Sequence, residues 1–134
     1  MDNNVLLFPK RLMTLVFTDV VPCKNKGKWV NTCKYIVLHH TGGWSYASNL
    51  RILSWNSDRQ VSCHFLIWPE WELAKIGTPE EIQRHVGESR RGKLVWMNQA
   101  SIGIEIVDDP KWIGSPKRFT DKQRAKVREL VKHL

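Results

Sequence analysis

The sequence contains few cysteines and no long apolar run. Its three cysteines, Cys23, Cys33 and Cys63, form no C-x-x-C pair, which argues against a disulfide scaffold and against a zinc ribbon. We expect reduced thiols, although Cys23 and Cys33 lie close enough in sequence to pair. The apolar stretch Val5 to Phe8 is followed directly by Pro9, so it is too short for a signal peptide or a transmembrane helix. We therefore expect no membrane insertion.

The composition is that of a single domain. Of 134 residues, 42% are hydrophobic, and no internal repeat or low-complexity segment is present. Seven tryptophans exceed what packing needs in a chain of this length, so some of them can form a groove for a sugar or a peptide, with the others in the core or at its rim. The tryptophans are Trp29, Trp44, Trp55, Trp68, Trp71, Trp96 and Trp112.

The chain is strongly basic, with a formal net charge of +8 and a pI near 9.7. Such a charge favours polyanionic partners, namely nucleic acid, an anionic membrane surface or a cell wall that carries acidic polymers. The basic residues are spread over residues 24–28, 84–93 and 117–132 and form no recognisable nucleic-acid-binding motif. We therefore expect no sequence-specific binding of nucleic acid.

Two parts of the chain differ in pattern. Residues 1–33 are interpreted as an N-terminal arm with one strand at Thr14 to Phe17, and residues 34–134 as the domain proper. Tyr35 to His39 is a β-branched and apolar run that ends in Thr41-Gly42-Gly43, which is typical of a buried strand that breaks into a loop. This pattern places two histidines at the carboxyl end of a strand.

The remaining elements follow from serine caps, alternating apolar residues and a capping box. The patterns predict a helix from Ser45 or Ser48 to about Trp55, a strand from Val61 to Trp68, an antiparallel neighbour from Glu72 to Ile76, a charged loop from Thr78 to Met97, a strand from Ser101 to Val107 and an amphipathic helix that begins after Thr120 and runs to Leu134. In the last strand, the isoleucines at 102, 104 and 106 share one face and Glu105 lies on the other.

Two features of these elements can carry chemistry. A histidine of the His39-His40 pair can present a neutral ring nitrogen to a zinc ion, but such a pair is also typical of packed or solvated side chains. Glu105 in an apolar strand is tolerated when the carboxylate is paired or catalytic, and it can otherwise be an edge residue in solvent. His64 and His85 can each be ordinary polar residues.

Four segments form an ordered set of motifs. They are Y-I-V-L-H-H-T-G-G (35–43), V-S-C-H-F-L-I (61–67), R-H-V-G-E-S (84–89) and N-Q-A-S-I-G-I-E-I-V (98–107). Taken together, from about Lys34 to Leu134, they resemble the zinc-dependent N-acetylmuramoyl-L-alanine amidases, a family that includes phage amidase lysozymes, bacterial muropeptide amidases and peptidoglycan-recognition proteins.

This resemblance implies a role for each motif residue. His39 would be the first zinc ligand and Glu105 the general acid and base, while His64, His85 and Asn98 would line the groove that holds the muramyl peptide. The implied fold is α/β, a single domain with a mixed central β-sheet flanked by α-helices. The implied reaction is hydrolysis of the amide between N-acetylmuramic acid and L-alanine in peptidoglycan, with Zn²⁺ polarising the carbonyl and activating water.

The sequence departs from the family pattern in its metal ligands. A catalytic zinc needs about three protein ligands, and His39 alone matches. The family's second histidine follows the helix that begins here at Asp121, and its third ligand follows a further loop, so we expect that a C-terminal portion of the domain is missing. Arg84 replaces a tryptophan of the family. Cys63 replaces the catalytic tyrosine of phage-type relatives, which favours the glutamate mechanism.

Three functions remain open after this comparison of motifs. The first is an endolysin-like amidase that acts on the bacterial cell wall as a monomer. The second is a non-catalytic peptidoglycan-binding module that keeps the groove without the metal. The third is nucleic-acid binding driven by net charge, which would require an affinity that falls steeply with salt. The resemblance favours the first.

Overall fold

A mixed five-stranded β-sheet forms the centre of the fold, in a computed structural model that describes residues 5–7, 14–24, 29–43, 45–54, 58–70, 72–108, 110–112 and 114–134. The strands are β1 (Val5–Leu7), β2 (Thr14–Val16), β3 (Asp19–Val20), β4 (Tyr35–His40), β5 (Phe65–Ile67), β6 (Leu73–Lys75), β7 (Arg90–Arg91), β8 (Leu94–Val95) and β9 (Ser101–Ile106). The helices are α1 (Tyr46–Leu53) and α2 (Asp121–His133), with 3-10 turns at Met97–Gln99, Pro110–Trp112 and Pro116–Arg118.

The strand order of the central sheet is β3-β6-β5-β9-β4. β9 runs parallel to both of its neighbours, β5 and β4, whereas β6 is antiparallel to β5 and parallel to β3. Two further antiparallel pairs, β1 with β2 and β7 with β8, lie outside this sheet. Because β4, β5 and β9 point the same way, the loops that follow them gather at one end of the sheet.

Both helices begin at a side-chain cap. The Ser45 hydroxyl accepts the amide hydrogen of Ser48 at 3.2 Å at the start of α1. α2 has the predicted capping box, because Thr120 Oγ1 accepts from the amide of Gln123 and Gln123 Oε1 accepts from the amide of Thr120. Each bond satisfies a backbone donor that the helix itself leaves free.

The sheet separates two hydrophobic clusters. The cluster on the α2 side comprises Phe17, Phe65, Ile67, Leu73, Ile102, Ile104, Ile106 and Leu130. The cluster on the α1 side comprises Cys23, Leu53, Cys63, Leu66, Ala74, Ile76 and Val107. All three isoleucines of β9 face α2, as their spacing predicts, and every residue of this strand is buried. A polar side chain on the other face of β9 is therefore also inside the protein.

The predicted fold class is confirmed, since one mixed sheet carries a helix on each side. β5 is shorter than the predicted strand Val61 to Trp68, because Ser62 makes only an isolated bridge, with Ser54. The strand predicted at Thr14 to Phe17 is β2, and α1 ends at Leu53. Trp55, the predicted end of that helix, lies outside the described residues together with Trp44 and Trp71.

Part of the segment interpreted as an N-terminal arm contributes to the sheet. β3 pairs with β6, and Phe17 is 1% exposed in the α2-side cluster. Asn31 Nδ2 donates to the carbonyl of Ser101 at 2.7 Å, which ties this segment to the start of β9. The boundary at residue 34 stays a prediction. Among the described residues, no helix is long and apolar enough to cross a membrane, and Cys23, Cys33 and Cys63 form no disulfide with one another.

Candidate functional site

A cavity of about 930 Å³ opens at the carboxyl ends of β4 and β9. Its wall includes three of the predicted site residues, His85, Asn98 and Glu105, and the loop that follows β4. Trp29 and Trp96 also line the cavity and are 75% and 54% exposed. A cavity of this size, lined by both apolar and polar side chains and by exposed aromatic rings, fits a ligand that combines sugar and peptide groups.

Glu105 is a buried carboxyl on the wall of this cavity. It stands in register with His39 of β4 on one side and Leu66 of β5 on the other, and it is 8% exposed. Burial raises the pKa of Glu105 from its ordinary value of 4.5 to about 7, and the nearby carboxylate of Asp108 adds to the rise. Near neutral pH, Glu105 can therefore both accept and release a proton.

A chain of hydrogen bonds joins His39 to the start of β9. His39 Nε2 lies 3.2 Å from His85 Nδ1, and His85 Nε2 lies 3.2 Å from the Ser101 hydroxyl. The Ser101 hydroxyl donates its own hydrogen to the carbonyl of Met97 at 2.6 Å, so it accepts from His85 Nε2. His85 Nδ1 then carries no hydrogen and accepts from His39 Nε2.

The tautomer assigned in this way leaves Nδ1 of His39 with a free lone pair. Burial lowers the pKa of His39, and the neighbouring His40 lowers it further. Burial also lowers the pKa of His85 to about 3, with smaller contributions from His64 and His39. Both rings are therefore neutral near pH 7, which the hydrogen-bond chain requires.

His64 does not lie on the cavity wall. Its ring is fully buried, Nδ1 accepts from the amide of Gly103 at 2.9 Å, and Nε2 donates to the carbonyl of Glu81 at 2.7 Å. The centroids of the His64 and His85 rings are 5.8 Å apart in an edge-to-face arrangement. This placement differs from the predicted position along the groove, because both ring nitrogens are bound to the backbone. His64 therefore contacts the ring of His85 edge to face instead of facing the cavity.

Gly103 and Asn98 hold His85 in place. A Cβ at Gly103 would lie 2.6 Å from His85 Nδ1 and closer still to Cγ, so the ring packs directly on the backbone of β9. Asn98 Oδ1 accepts from the amides of His85 and Val86 at 3.0 and 3.1 Å. The side chain of Asn98 therefore fixes the loop that carries His85, in addition to lining the cavity.

The described residues do not form a complete catalytic zinc site. No group of three His, Cys, Asp or Glu side chains that could hold a metal occurs among them, whereas a catalytic zinc needs about three protein ligands. His40 Nδ1 lies 3.2 Å from Oδ2 of the buried Asp108, which makes a pair and not a triad. The donors present do not fit a catalytic zinc by themselves, and His39 Nδ1 offers one ligand position.

Motif reasoning missed three residues that shape this site, namely Ser101, Gly103 and Asp108. The alternation S-I-G-I-E held a signal for the first two, because small residues on one face of a strand leave room for a ring to pack there. Asp108 follows β9 and had no such signal. Its burial, and the 3.2 Å contact of its Oδ2 with His40 Nδ1, emerge only from the fold.

The sequence model of one family, described as N-acetylmuramoyl-L-alanine amidase, matches residues 29–134. No curated protein sequence matches the chain significantly.

Similar solved structures share the fold at low sequence identity. AmpDh3 from Pseudomonas aeruginosa, in complex with anhydromuramic pentapeptide, is 23% identical with a TM-score of 0.62 over 81% of this chain and 47% of its own. A selenomethionine derivative of AmpD is 19% identical with a TM-score of 0.63 over 87% and 72%, and a mutant endolysin from Bacillus subtilis is 22% identical with a TM-score of 0.59 over 85% and 76%. The chain thus spans about half the length of AmpDh3.

Proposed function

Because the chain belongs to the N-acetylmuramoyl-L-alanine amidase family, we propose that it binds a muropeptide in the 930 Å³ cavity and hydrolyses the amide between N-acetylmuramic acid and L-alanine. The observation that carries this proposal is Glu105, a buried carboxyl with a pKa near 7 on the cavity wall. The similar AmpDh3 structure contains an anhydromuramic pentapeptide, which supports this class of ligand. We place the action of the domain, as a monomer, at the bacterial cell wall.

Glu105 would move the proton in this reaction. Its carboxylate takes a proton from a water molecule as the water oxygen attacks the carbonyl carbon of the lactyl group. The protonated carboxyl then gives that proton to the nitrogen of L-alanine as the carbon–nitrogen bond breaks. A pKa near 7 suits both steps, because a general base that is too weakly basic does not accept the proton and one that is too strongly basic does not release it.

His85 would act as a positioning residue. Its Nδ1 accepts the hydrogen on His39 Nε2, so the His39 ring is held in one orientation with Nδ1 free. Asn98, Gly103 and His64 fix His85 in turn. Such supporting contacts are typical of a histidine that binds a metal through its other nitrogen.

Zinc is the metal that the family resemblance implies, and it would polarise the substrate carbonyl. His39 Nδ1 would be one ligand, but the described residues supply no triad, so no step above depends on the metal. This shortage favours a second candidate function, a non-catalytic module that binds muropeptide. The two functions share the cavity and differ only in whether the amide is cleaved.

The decisive experiment measures binding and cleavage on the same samples. A soluble muramyl peptide is titrated into the chain by calorimetry, and the products are separated by liquid chromatography with and without added Zn²⁺. We expect cleavage that Glu105→Gln abolishes while binding persists. Binding without cleavage in the unaltered chain would establish the second candidate, and failure to bind would refute both.

Zinc content tests the part proposed for His39. Elemental analysis of the purified chain after incubation with Zn²⁺ should give metal that is lost in His39→Ala and retained in Glu88→Ala, which changes another ionisable residue of the cavity wall. Equal zinc content in the two variants would show that His39 is not a ligand.

A further inference from the structure

A second groove lies on the α2 side of the sheet, and His39 and His40 also line it, so it adjoins the proposed metal ligand. It encloses about 400 Å³ between α2 and the carboxyl end of β4. Its lining combines apolar side chains with three arginines, and it includes Ile106, Phe119, Val127, Arg118, Arg124 and Arg128. Such a surface fits a ligand that is anionic at intervals and uncharged between them.

The arginines of this groove differ from Lys122 of α2 in their ion pairing. Lys122 Nζ lies 3.4 Å from the carboxylate of Glu70, so its charge is partly neutralised. Within the described ranges, Arg118, Arg124 and Arg128 form no ion pair with a carboxylate. Their charge is therefore available to a partner.

The basic charge of the chain is concentrated in the segment that carries the three groove arginines, Arg118, Arg124 and Arg128. Residues 116–134 contain seven lysines and arginines and only two acidic residues, which accounts for five of the eight net positive charges. The uneven distribution gives the α2 side of the domain a local positive field. A polyanion would be attracted to this side first.

Contacts within the protein hold two of the guanidinium groups in place. Arg124 Nη2 donates to the carbonyl of Pro116 at 2.8 Å, and the Arg118 guanidinium lies 4.8 Å above the centre of the Phe119 ring. Arg124 and Arg128 are one helical turn apart, about 6 Å along the axis. The conformational entropy lost when Arg118 and Arg124 bind a ligand is therefore smaller than for free surface lysines.

A guanidinium group binds phosphate through two parallel hydrogen bonds, so successive arginines suit a chain of phosphodiesters. We propose that this groove binds the phosphodiester backbone of an anionic cell-wall polymer of the teichoic-acid class and thereby holds the domain on the wall. The choice of a wall polymer rests on the proposed function, because that function brings the domain to peptidoglycan. Nucleic acid fits less well, since single strands need aromatic faces for base stacking and Arg118 covers the Phe119 ring in the groove.

The test is a binding measurement with matched charge variants of the full chain. Delipidated poly(glycerol phosphate) is titrated into the unaltered chain, into Arg124→Gln/Arg128→Gln and into the control Lys93→Gln/Lys122→Gln, which removes the same charge from exposed positions outside the groove. We expect about tenfold weaker binding for the arginine variant and less than about threefold for the control. Thermal unfolding of each variant verifies that the fold is intact.

Three outcomes would overturn the proposal. Equal losses in both double variants, or no binding at all, would mean that the groove is not a specific site. DNA at the same phosphate concentration that binds as tightly, with the same dependence on Arg124 and Arg128, would assign the groove to nucleic acid. The assay measures binding of the polymer and needs no cleavage. A negative result therefore leaves the proposed muropeptide hydrolysis untouched, and a failure of hydrolysis leaves the polymer-binding result untouched.

Discussion

Substitution of Glu105 by glutamine should change how the stability of the protein depends on pH. The folded protein holds the Glu105 proton up to about pH 7, while the unfolded chain releases it near 4.5. Between these values the unfolded state binds fewer protons, so the free energy of unfolding falls as pH rises. Glutamine removes this dependence because it has no proton to release.

The size of the effect follows from the shift in pKa. One pKa unit corresponds to about 1.4 kcal/mol, so between pH 5 and 8.5 the carboxyl should cost the fold about 2.5 kcal/mol. The stability difference between Glu105→Gln and the unaltered protein should therefore shift in favour of the variant by about 2.5 kcal/mol between pH 5 and pH 8.5. Other groups, including the histidines, titrate in both proteins and cancel in the difference.

Urea denaturation at several pH values between 5 and 8.5 measures this difference directly. Glu88→Gln is the matched control for loss of a carboxylate, because Glu88 also lines the cavity but is exposed. Parallel curves for Glu105→Gln and the unaltered protein would refute the reasoning, since they would show that Glu105 titrates as a solvated carboxyl. The proton-transfer role proposed for it would then lose its physical basis.

Three further substitutions test the supports of the site and the fold. Gly103→Ala should destabilise the protein by about 1–3 kcal/mol in urea, because the new methyl group overlaps the His85 ring; an unchanged midpoint would contradict this packing. Asn98→Ala should speed amide hydrogen exchange at His85 and the residue after it, with exchange in α2 as the unchanged reference. Thr120→Ala should cost about 1–2 kcal/mol through loss of the α2 cap, whereas equal stability would show that the capping box contributes nothing.

Local patterns predicted much of the fold because they report burial directly. The isoleucine alternation in β9 placed Glu105 on the opposite face, and the Thr120 capping box located the start of α2. Each of these signals depends on residues close together in sequence. The strand order of the sheet depends on pairing between strands that are far apart in sequence, so it could be read only from the structure.

The site was predictable only in part, for the same reason. His39 and Glu105 are neighbours because β4 and β9 pair in register although the two residues are 66 positions apart in sequence, and the motif resemblance had named both as expected site residues. His64 has the sequence context of a groove residue, yet its ring bonds to two backbone groups from distant segments. Hydrogen bonds of this kind depend on how distant loops pack together, and the spacing of residues within one segment does not predict that packing.

The position of β4 at the edge of the sheet affects how the protein behaves at high concentration. Within the described residues no strand pairs with its outer side, and Leu38 on this strand is 51% exposed. An open, partly apolar edge can pair with the same edge of another molecule and start aggregation. The net charge of +8 opposes such contact at neutral pH, and this repulsion vanishes near the pI of 9.7. The protein should therefore be concentrated well below that pH and at low salt, where charge keeps the molecules apart.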